Sequence, residues 1–233
     1  IEEFKQRYLN QPYGDVWLEL RPLAYTTHPY KWATIGKEIK HIEDATMDDV
    51  KAFFNKYYIP SNAILCIAGN FEFEYVKELV EKWYGSIPSG KKPPRILPLE
   101  PEQVEYREKT IERDVPTDAF YYAFKMPERR DPAYYIADVL SDALGREKSS
   151  RLFVSLKKEK QIVSNISAYI TGSLDHGLLV ISGKLNKGKS FEELDEALWQ
   201  VLDEIKLKAI SDEELNRLMI KIRTEKAFSE QGL

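Results

Sequence analysis

A stretch rich in proline, residues 89–101, limits the possible folds of this chain more than any other feature. Its four prolines are Pro93, Pro94, Pro98 and Pro101. Proline has no amide hydrogen to donate and fixes its backbone φ angle, so the stretch cannot hold a regular helix or strand. With 233 residues, 43% of them hydrophobic, the chain can bury one large core or two ordinary ones. The stretch favours two domains, residues 1–95 and 96–233, and predicts that limited proteolysis cuts first between them.

The balance of charge argues against one broad class of function. The 34 basic and 38 acidic side chains leave a formal net charge of -4, and no basic arm interrupts that balance. We therefore expect no nucleic-acid partner. The longest apolar run, residues 63–68, is too short for a membrane span and predicts a buried strand. Cys66 lies in this run, so we expect it to pack as a small apolar side chain, and the compartment stays undetermined.

Apolar periodicity predicts both helices and strands on each side of the proline-rich stretch. Before it, the predicted helices are residues 1–10, 15–20, 46–57 and 74–84, and the predicted strand is residues 63–68. The third of these helices opens with a sequence typical of a capping box, from Thr46 to Asp49. After it, the predicted strands are residues 103–113, 119–125, 162–170 and 178–182, and the last two flank a turn at residues 173–177, as in a hairpin. The predicted helices are residues 131–144, 151–158 and two that begin at the capping boxes of Ser190 and Ser211. Because strands and helices do not alternate strictly, we predict an α+β fold with a mainly antiparallel sheet packed against helices in each domain.

The residues alone indicate no complete catalytic or metal site. His28, His41 and His176 lie in different segments, and none has a second histidine at helical i, i+4 spacing. Cys66 lies in an apolar run with no histidine near it in sequence, so it is a poor candidate for a nucleophile. Residues 145–150 contain one glycine and lack the Gly-Lys-Ser/Thr of a phosphate loop. Without further information, the sequence predicts a two-domain α+β chain and no reaction.

Several short segments, taken in order, carry a family resemblance. They are residues 2–14, 23–25, 28–30, 34–36, 42–50, 53–58, 60–63, 69–71 and 149–153. Together they resemble the stretch that follows the metal motif in zinc metallopeptidases of the pitrilysin/insulinase family. The likeness covers nearly the whole chain. Because the sequence begins with Ile1 rather than Met and continues at once with a charged, helix-like pattern, we expect it to be an internal part of such a peptidase.

The resemblance implies one zinc ligand in this chain. In the family, the motif His-x-x-Glu-His supplies two zinc histidines and a glutamate base that activates a zinc-bound water. That motif is absent here, so no catalytic residue is assigned. The family's third ligand is a glutamate on a later helix, and the match places it at Glu3. Glu2 points about 100° away from it on a helix, so both cannot face one ion.

The resemblance also implies partners. Complete family members pair two homologous halves around a chamber that takes a peptide substrate, and the second half lies on the same chain or on a separate subunit. The half without metal contributes an arginine and a tyrosine that hold substrate. The matching positions here are Lys157 and Ser164, which implies the metal-binding half and assigns no substrate clamp.

Three functions follow as hypotheses. The first is a part of a zinc metalloendopeptidase that hydrolyses peptides or unfolded polypeptides, with the isolated chain inactive because it supplies one ligand only. The second is a non-catalytic structural or partner-binding homologue of the same family. The third is an unrelated α+β interaction module, which would make the resemblance accidental. The presence of His-x-x-Glu-His upstream of Ile1 separates the first from the second.

Overall fold

The computed structural model describes residues 1–232, and helices occupy nearly half of that length. The α-helices are α1 (Glu2–Phe4), α2 (Val16–Ala24), α3 (Ile39–Glu43), α4 (Met47–Tyr57), α5 (Phe73–Tyr84), α6 (Pro132–Gly145), α7 (Phe191–Leu207) and α8 (Asp212–Ser229). Wider π-helical turns form Lys5–Leu9 and Phe153–Glu159, and 3-10 turns form Pro29–Lys31, Pro60–Asn62 and Glu230–Gly232. Within these described residues, no helix combines the length and apolar character that a bilayer crossing requires.

A small antiparallel sheet lies after the proline-rich stretch. Its strands are β1 (Ala119–Lys125), β2 (Val163–Ile170) and β3 (Leu178–Leu185). They are ordered β1-β3-β2, and β3 pairs antiparallel with both neighbours. In this register Ile181 lies opposite Tyr122 on one side and Ala168 on the other. The predicted α+β fold and the predicted hairpin of β2 and β3 are confirmed.

One face of the sheet forms the main core. Alternate residues of a strand point to opposite faces, and Leu179 and Ile181 of β3 point toward helices α6 and α7. The other fully buried residues on this face include Leu152, Leu156, Val163, Leu194 and Leu198. Each such aliphatic side chain contributes about 1.5–3 kcal/mol through removal from water. The part of the chain after the proline-rich stretch therefore has a hydrophobic core that is closed to water.

The opposite face of the sheet is covered by residues from the start of the chain. Leu178 and Val180 of β3 are buried there against Ala24 and Tyr25, at the end of α2. Partly buried side chains complete this second cluster: Trp17, Tyr30, Tyr121, Ala123 and Tyr169. The segment around α2 thus packs on the sheet that lies beyond the proline-rich stretch. The division into residues 1–95 and 96–233 stays a prediction.

The segment from α3 to α5 is helical but mostly exposed. Thr46 and Asp49 form the predicted capping box of α4, each side chain bonding the other residue's backbone. The apolar face of that helix nevertheless carries Phe53 and Phe54 at 58% and 55% exposure, and Trp83 at the end of α5 is 67% exposed. These are amphipathic helices whose apolar faces lack a cover among the described residues.

Two predicted strands are wrong. Residues 63–68 form no strand, and Ile64 and Cys66 are exposed rather than buried. A strand needs a partner for its backbone groups, and no described segment pairs with this one. Residues 103–113 also form no strand. Their basic side chains instead reach the segment around α2, where Arg107 donates to the carbonyl of Leu23.

Local helix signals were more reliable than strand signals. Asp131 caps α6 with Pro132 in its first turn, and Ser190 and Glu193 form the predicted capping box of α7. At α8 only half of the predicted box forms, because the Glu214 carboxylate is bound by the Arg151 guanidinium 2.7 Å away. The salt bridge between Arg151 and Glu214 thus takes the place of the hydrogen bond between the Ser211 amide and the Glu214 carboxylate.

Candidate functional site

Glu3, the predicted zinc ligand, lies on an exposed helical turn at the start of the chain. Phe4 anchors this turn: it is buried and lies 5.2 Å from the ring of Tyr8. The Glu3 carboxylate accepts a 2.8 Å ion pair from Arg7 one turn later, and its side chain is 62% exposed. An ion pair at such exposure contributes little to stability. The carboxylate is therefore free to exchange Arg7 for a stronger partner.

Glu2 points to a different partner. Its carboxylate lies 2.8 Å from Lys5, and the hydrogen bond from that ammonium lowers the pKa of Glu2 below its usual value. The two neighbouring glutamates thus face Lys5 and Arg7 separately, as the helical rotation of about 100° per residue requires. The geometry agrees with the expectation that the two carboxylates do not face one ion.

The residues of this chain do not by themselves fit a zinc ion. Zinc sites in enzymes use three protein ligands, whereas residues 1–232 contain no group of three or more His, Cys, Asp or Glu side chains that could hold a metal. Glu3 offers one carboxylate with a cation as its neighbour. Its role as a ligand stays a prediction that involves residues outside this chain.

The three histidines have structural partners. His28 is buried, accepts the amide of Tyr30 at Nδ1 and places Nε2 3.3 Å from the Asp175 carboxylate. The Nδ1 of His176 lies 3.3 Å from the carbonyl oxygen of Met126. His41 is exposed beside Glu38. These contacts agree with the interpretation that none of them is a metal ligand.

An unpredicted cluster lies where the start of the chain meets the end of the proline-rich stretch. The Glu100 carboxylate accepts three consecutive backbone amides, those of Thr26, Thr27 and His28, at 2.7–2.9 Å. It also accepts the hydroxyl of Thr26 at 2.9 Å, whereas the hydroxyl of Thr27 lies 3.2 Å away and donates to the nearer carbonyl of Leu99 at 2.8 Å. Partial burial raises the pKa of Glu100, but these hydrogen bonds outweigh it and lower the pKa to about 2. No local sequence signal could have linked residues more than 70 positions apart.

A second contact next to this cluster joins the stretch to the turn between β2 and β3. Arg95 binds the Asp175 carboxylate, and that hydrogen bond lowers the pKa of Asp175. The Tyr25 hydroxyl donates to the carbonyl of His176 at 3.0 Å, and burial raises the pKa of Tyr25 to about 12. The ammonium of Lys125 lies 3.8 Å above the Tyr25 ring, a cation–π contact. Polar contacts thus fix this junction.

Lys157 and Ser164 each contact a nearby residue of this chain. The Lys157 ammonium lies 5.2 Å from the centre of the Phe153 ring, on the same π-helical turn. The Ser164 hydroxyl donates to the carbonyl of Lys184 at 3.3 Å. A flexible ammonium and a short hydroxyl cannot copy an arginine fork with a phenol. The prediction that they are not substrate clamps remains to be tested.

A groove runs between α6 and the edge strand β2. Asp138, Ser141 and Asp142 line it from one face of the helix, at spacing i, i+3 and i+4. Asp142 is buried and pairs with Arg146 at 3.1 Å, and Arg146 also reaches Glu225 at 3.0 Å. Burial, with Asp142 as a smaller cause, raises the pKa of Asp138. These polar groups are occupied with one another, as in a structural ion-pair network.

Comparison with known proteins gives one family and several relatives. The chain matches the Peptidase M16 inactive domain over residues 44–222, on both sides of the proline-rich stretch. It is 28% identical over 227 residues to Zinc protease PqqE of Helicobacter pylori, which covers 96% of this chain and 51% of that protein. It is 26% identical over 216 residues to the uncharacterized zinc protease YmxG of Bacillus subtilis, with 92% and 51% covered.

The fold also matches a solved structure. A protease from Helicobacter pylori superposes with a TM-score of 0.87 at 27% sequence identity, over 97% of this chain and 55% of that one. The resemblance to the zinc metallopeptidases is therefore confirmed. The chain spans about half the length of the curated relatives it matches.

Proposed function

This chain belongs to the Peptidase M16 inactive domain family, which it matches over residues 44–222, and on that premise we propose that it is part of a zinc metallopeptidase that hydrolyses peptides or unfolded polypeptides, with the His-x-x-Glu-His motif outside this chain. The observation that carries the proposal is the match in fold and sequence to a protease over 97% of the chain. The relatives named zinc proteases point to the same class of reaction.

The exposed faces of α4 and α5 support a longer protein. Two phenylalanines of α4 and Trp83 of α5 lie in water in this structure, although their spacing is that of a buried helix face. Large exposed apolar patches mark surfaces that another segment covers. We expect residues outside this chain to cover them and to supply the partner for residues 63–68.

Within that protein we propose Glu3 as one of the zinc ligands. The remaining ligands would be the two histidines of His-x-x-Glu-His, and the zinc would supply Lewis-acid activation of water. The part of this chain is to hold one carboxylate in place: the buried ring of Phe4 fixes the turn, and the exposed ion pair with Arg7 can give way to a metal ion. A homologous second half, on the same chain or another, would close the chamber around the peptide.

Replacement of the two neighbouring glutamates tests this proposal in the full-length protein. Glu3→Gln removes the ligand charge, so zinc content and hydrolysis of a denatured polypeptide should both fall by more than about tenfold. Glu2→Gln is the matched control, and both quantities should stay at the wild-type level. Loss with Glu2→Gln alone would mean that the alignment is off by one residue. Unchanged zinc and activity in both variants would refute Glu3 as a ligand.

The alternative is a non-catalytic structural or partner-binding homologue. The observation that favours it is the match to a family model that describes an inactive domain. Translation of the gene upstream of Ile1 separates the two proposals. A His-x-x-Glu-His motif there supports the peptidase, and a degenerate motif together with inactive full-length protein supports the alternative.

A further inference from the structure

The proline-rich stretch divides into two parts with different contacts. At its start, the carbonyl of Ser89 accepts the amide of Ser61, which belongs to the same part of the chain. Lys91 and Lys92 follow and are exposed. From Arg95 onward the contacts reach across the fold, to the loop after α2 and to the turn between β2 and β3. Only the second part of the stretch is tied to distant segments.

We propose that residues 95–101 form a strap, fastened by Glu100 to the loop Thr26–His28 and by Arg95 to Asp175, that holds the start of the chain onto the sheet. The strap is a built-in restraint on the relative position of two segments. It does not depend on the proposed peptidase function, and its test uses no activity measurement.

The Glu100 end of the strap requires a carboxylate. Three amides and the hydroxyl of Thr26 converge on its two oxygens, so each of these partners is a donor and needs an acceptor. Glutamine would keep one acceptor oxygen, but its NH2 group is a donor and would face the donors of the loop. Hydrogen bonds to an ionised acceptor are about twice as strong as neutral ones. A generic polar residue at this position would not hold the loop in the same way.

The strap is also attached at a second point, and the two attachment points are joined to each other. His28 of the loop lies 3.3 Å from Asp175, the residue that Arg95 binds. The Tyr30 hydroxyl accepts the amide of Asp175 at 3.3 Å. The loop Thr26–His28 and the turn between β2 and β3 are therefore connected to each other, and the strap crosses both. Prolines stiffen the crossing segment, which lowers the entropy lost when both ends are attached.

The strap contacts charges that its removal would leave uncompensated. Lys125 lies over the Tyr25 ring at this junction. Partial desolvation lowers the pKa of its ammonium, the Glu100 carboxylate opposes that shift, and the positive charge of Arg107 adds to it. Glu100 thus neutralises a positive region at the junction, which gives a second physical reason for its position.

Trypsin distinguishes a strap from a loose linker. The stretch offers two bonds that trypsin can cleave, after Lys91 and after Arg95, because the bond between Lys92 and Pro93 is resistant. In the full-length protein, quantified by mass spectrometry under native conditions, the bond after Lys91 should be cut first and the bond after Arg95 should be protected. Glu100→Gln should speed cleavage after Arg95 by about tenfold or more, since charge-assisted bonds are lost. Equal cleavage at both bonds in the wild type would overturn the proposal.

Hydrogen exchange locates the effect. In Glu100→Gln, the peptide that contains the Thr26, Thr27 and His28 amides should exchange about tenfold faster, while peptides of β3 should keep their wild-type protection. Glu102→Gln is the matched control: it removes one charge from an exposed carboxylate two residues away, and it should change neither peptide. Identical exchange in Glu100→Gln and Glu102→Gln would refute the role of Glu100.

A second variant keeps the test decisive if Glu100→Gln fails to fold. Asp175→Asn keeps an acceptor oxygen beside His28 and leaves the Glu100 carboxylate with its three loop amides, but it removes the charge that Arg95 binds. Cleavage after Arg95 should therefore accelerate while the Thr26–His28 amides stay protected by Glu100. Wild-type protection at Arg95 in this variant would refute attachment at the second point. Faster cleavage after Arg95, with the loop amides unchanged, would support a strap with two separate fastenings.

Discussion

Helices α4 and α7 begin with the same local signal, but their apolar faces lie in different environments. Each opens with a capping box, formed by Thr46 and Asp49 in α4 and by Ser190 and Glu193 in α7. Each has an apolar face at helical spacing. In α7 that face is buried, with Leu198 inaccessible to water, whereas Phe53 of α4 is 58% exposed. Local sequence determines that a helix forms, and distant segments determine whether its face is buried.

The difference follows from where the covering segments lie. Helix α7 packs against the sheet, whose three strands all lie within residues 119–185. The segment from α3 to α5 has a β-like apolar run at residues 63–68 but no described partner for it. The relatives are about twice as long as this chain, and the proposal that this chain is part of such a protein places the partner of residues 63–68 outside it. The apolar face of α7 thus has its covering segments within the described residues, whereas the apolar face of α4 does not.

The largest expected contrast comes from truncating one side chain in each helix. Leu198→Ala should destabilise the isolated chain by about 2–5 kcal/mol, because it leaves a cavity in a closed core. Phe53→Ala should change the free energy of unfolding by less than about 0.5 kcal/mol, since its ring is already in water. Urea unfolding followed by circular dichroism measures both. A loss of several kcal/mol with Phe53→Ala would show that the face of α4 is covered within the chain itself.

The capping boxes give a smaller contrast. Ser190→Ala should cost about 1 kcal/mol of global stability, because the orphan amides of α7 lose an acceptor in a helix that is part of the core. Thr46→Ala removes an equivalent bond from α4, but it should fray that helix locally and leave the midpoint of global unfolding unchanged. Hydrogen exchange of the first turn of each helix, with the urea midpoint, separates the two outcomes. Equal shifts in the midpoint would mean that α4 unfolds together with the core.

The sequence predicted the helices better than the sheet. Caps are short-range bonds, so Asp131, Ser190 and Thr46 could be identified from neighbouring residues. The hairpin of β2 and β3 was equally local. Residues 63–68 and 103–113 have strand-like composition, but a strand also requires a partner that composition does not show. Helix α2 continues through Pro22 to Ala24, beyond its predicted end, and Ala24 is buried against the sheet.

The candidate site shows the same limit. Glu3 was placed by family resemblance, and the structure puts it on a helical turn with Arg7 as its partner, but its zinc ligation remains a prediction. Glu100 was read as part of an unanchored linker, because nothing near it in sequence indicates the loop Thr26–His28. Its hydrogen bonds join residues 72–74 positions apart. Contacts of that kind depend on how the chain folds back on itself.

The smallest expected effect is the dependence of the junction on acid. The folded pKa of Glu100, about 2, lies below the reference value of 4.5, so the unfolded chain takes up this proton first as the pH falls. Its stabilisation is therefore complete above about pH 4.5 and is lost between pH 4.5 and 2. Because the carboxylate is partly solvated, we expect less than about 1 kcal/mol. Other carboxylates titrate in the same range, so the measurement is a difference: Glu100→Gln should flatten the acid limb of the stability curve relative to Glu102→Gln. Parallel acid limbs in the two variants would show that the loop Thr26–His28 gains nothing from the charge of Glu100.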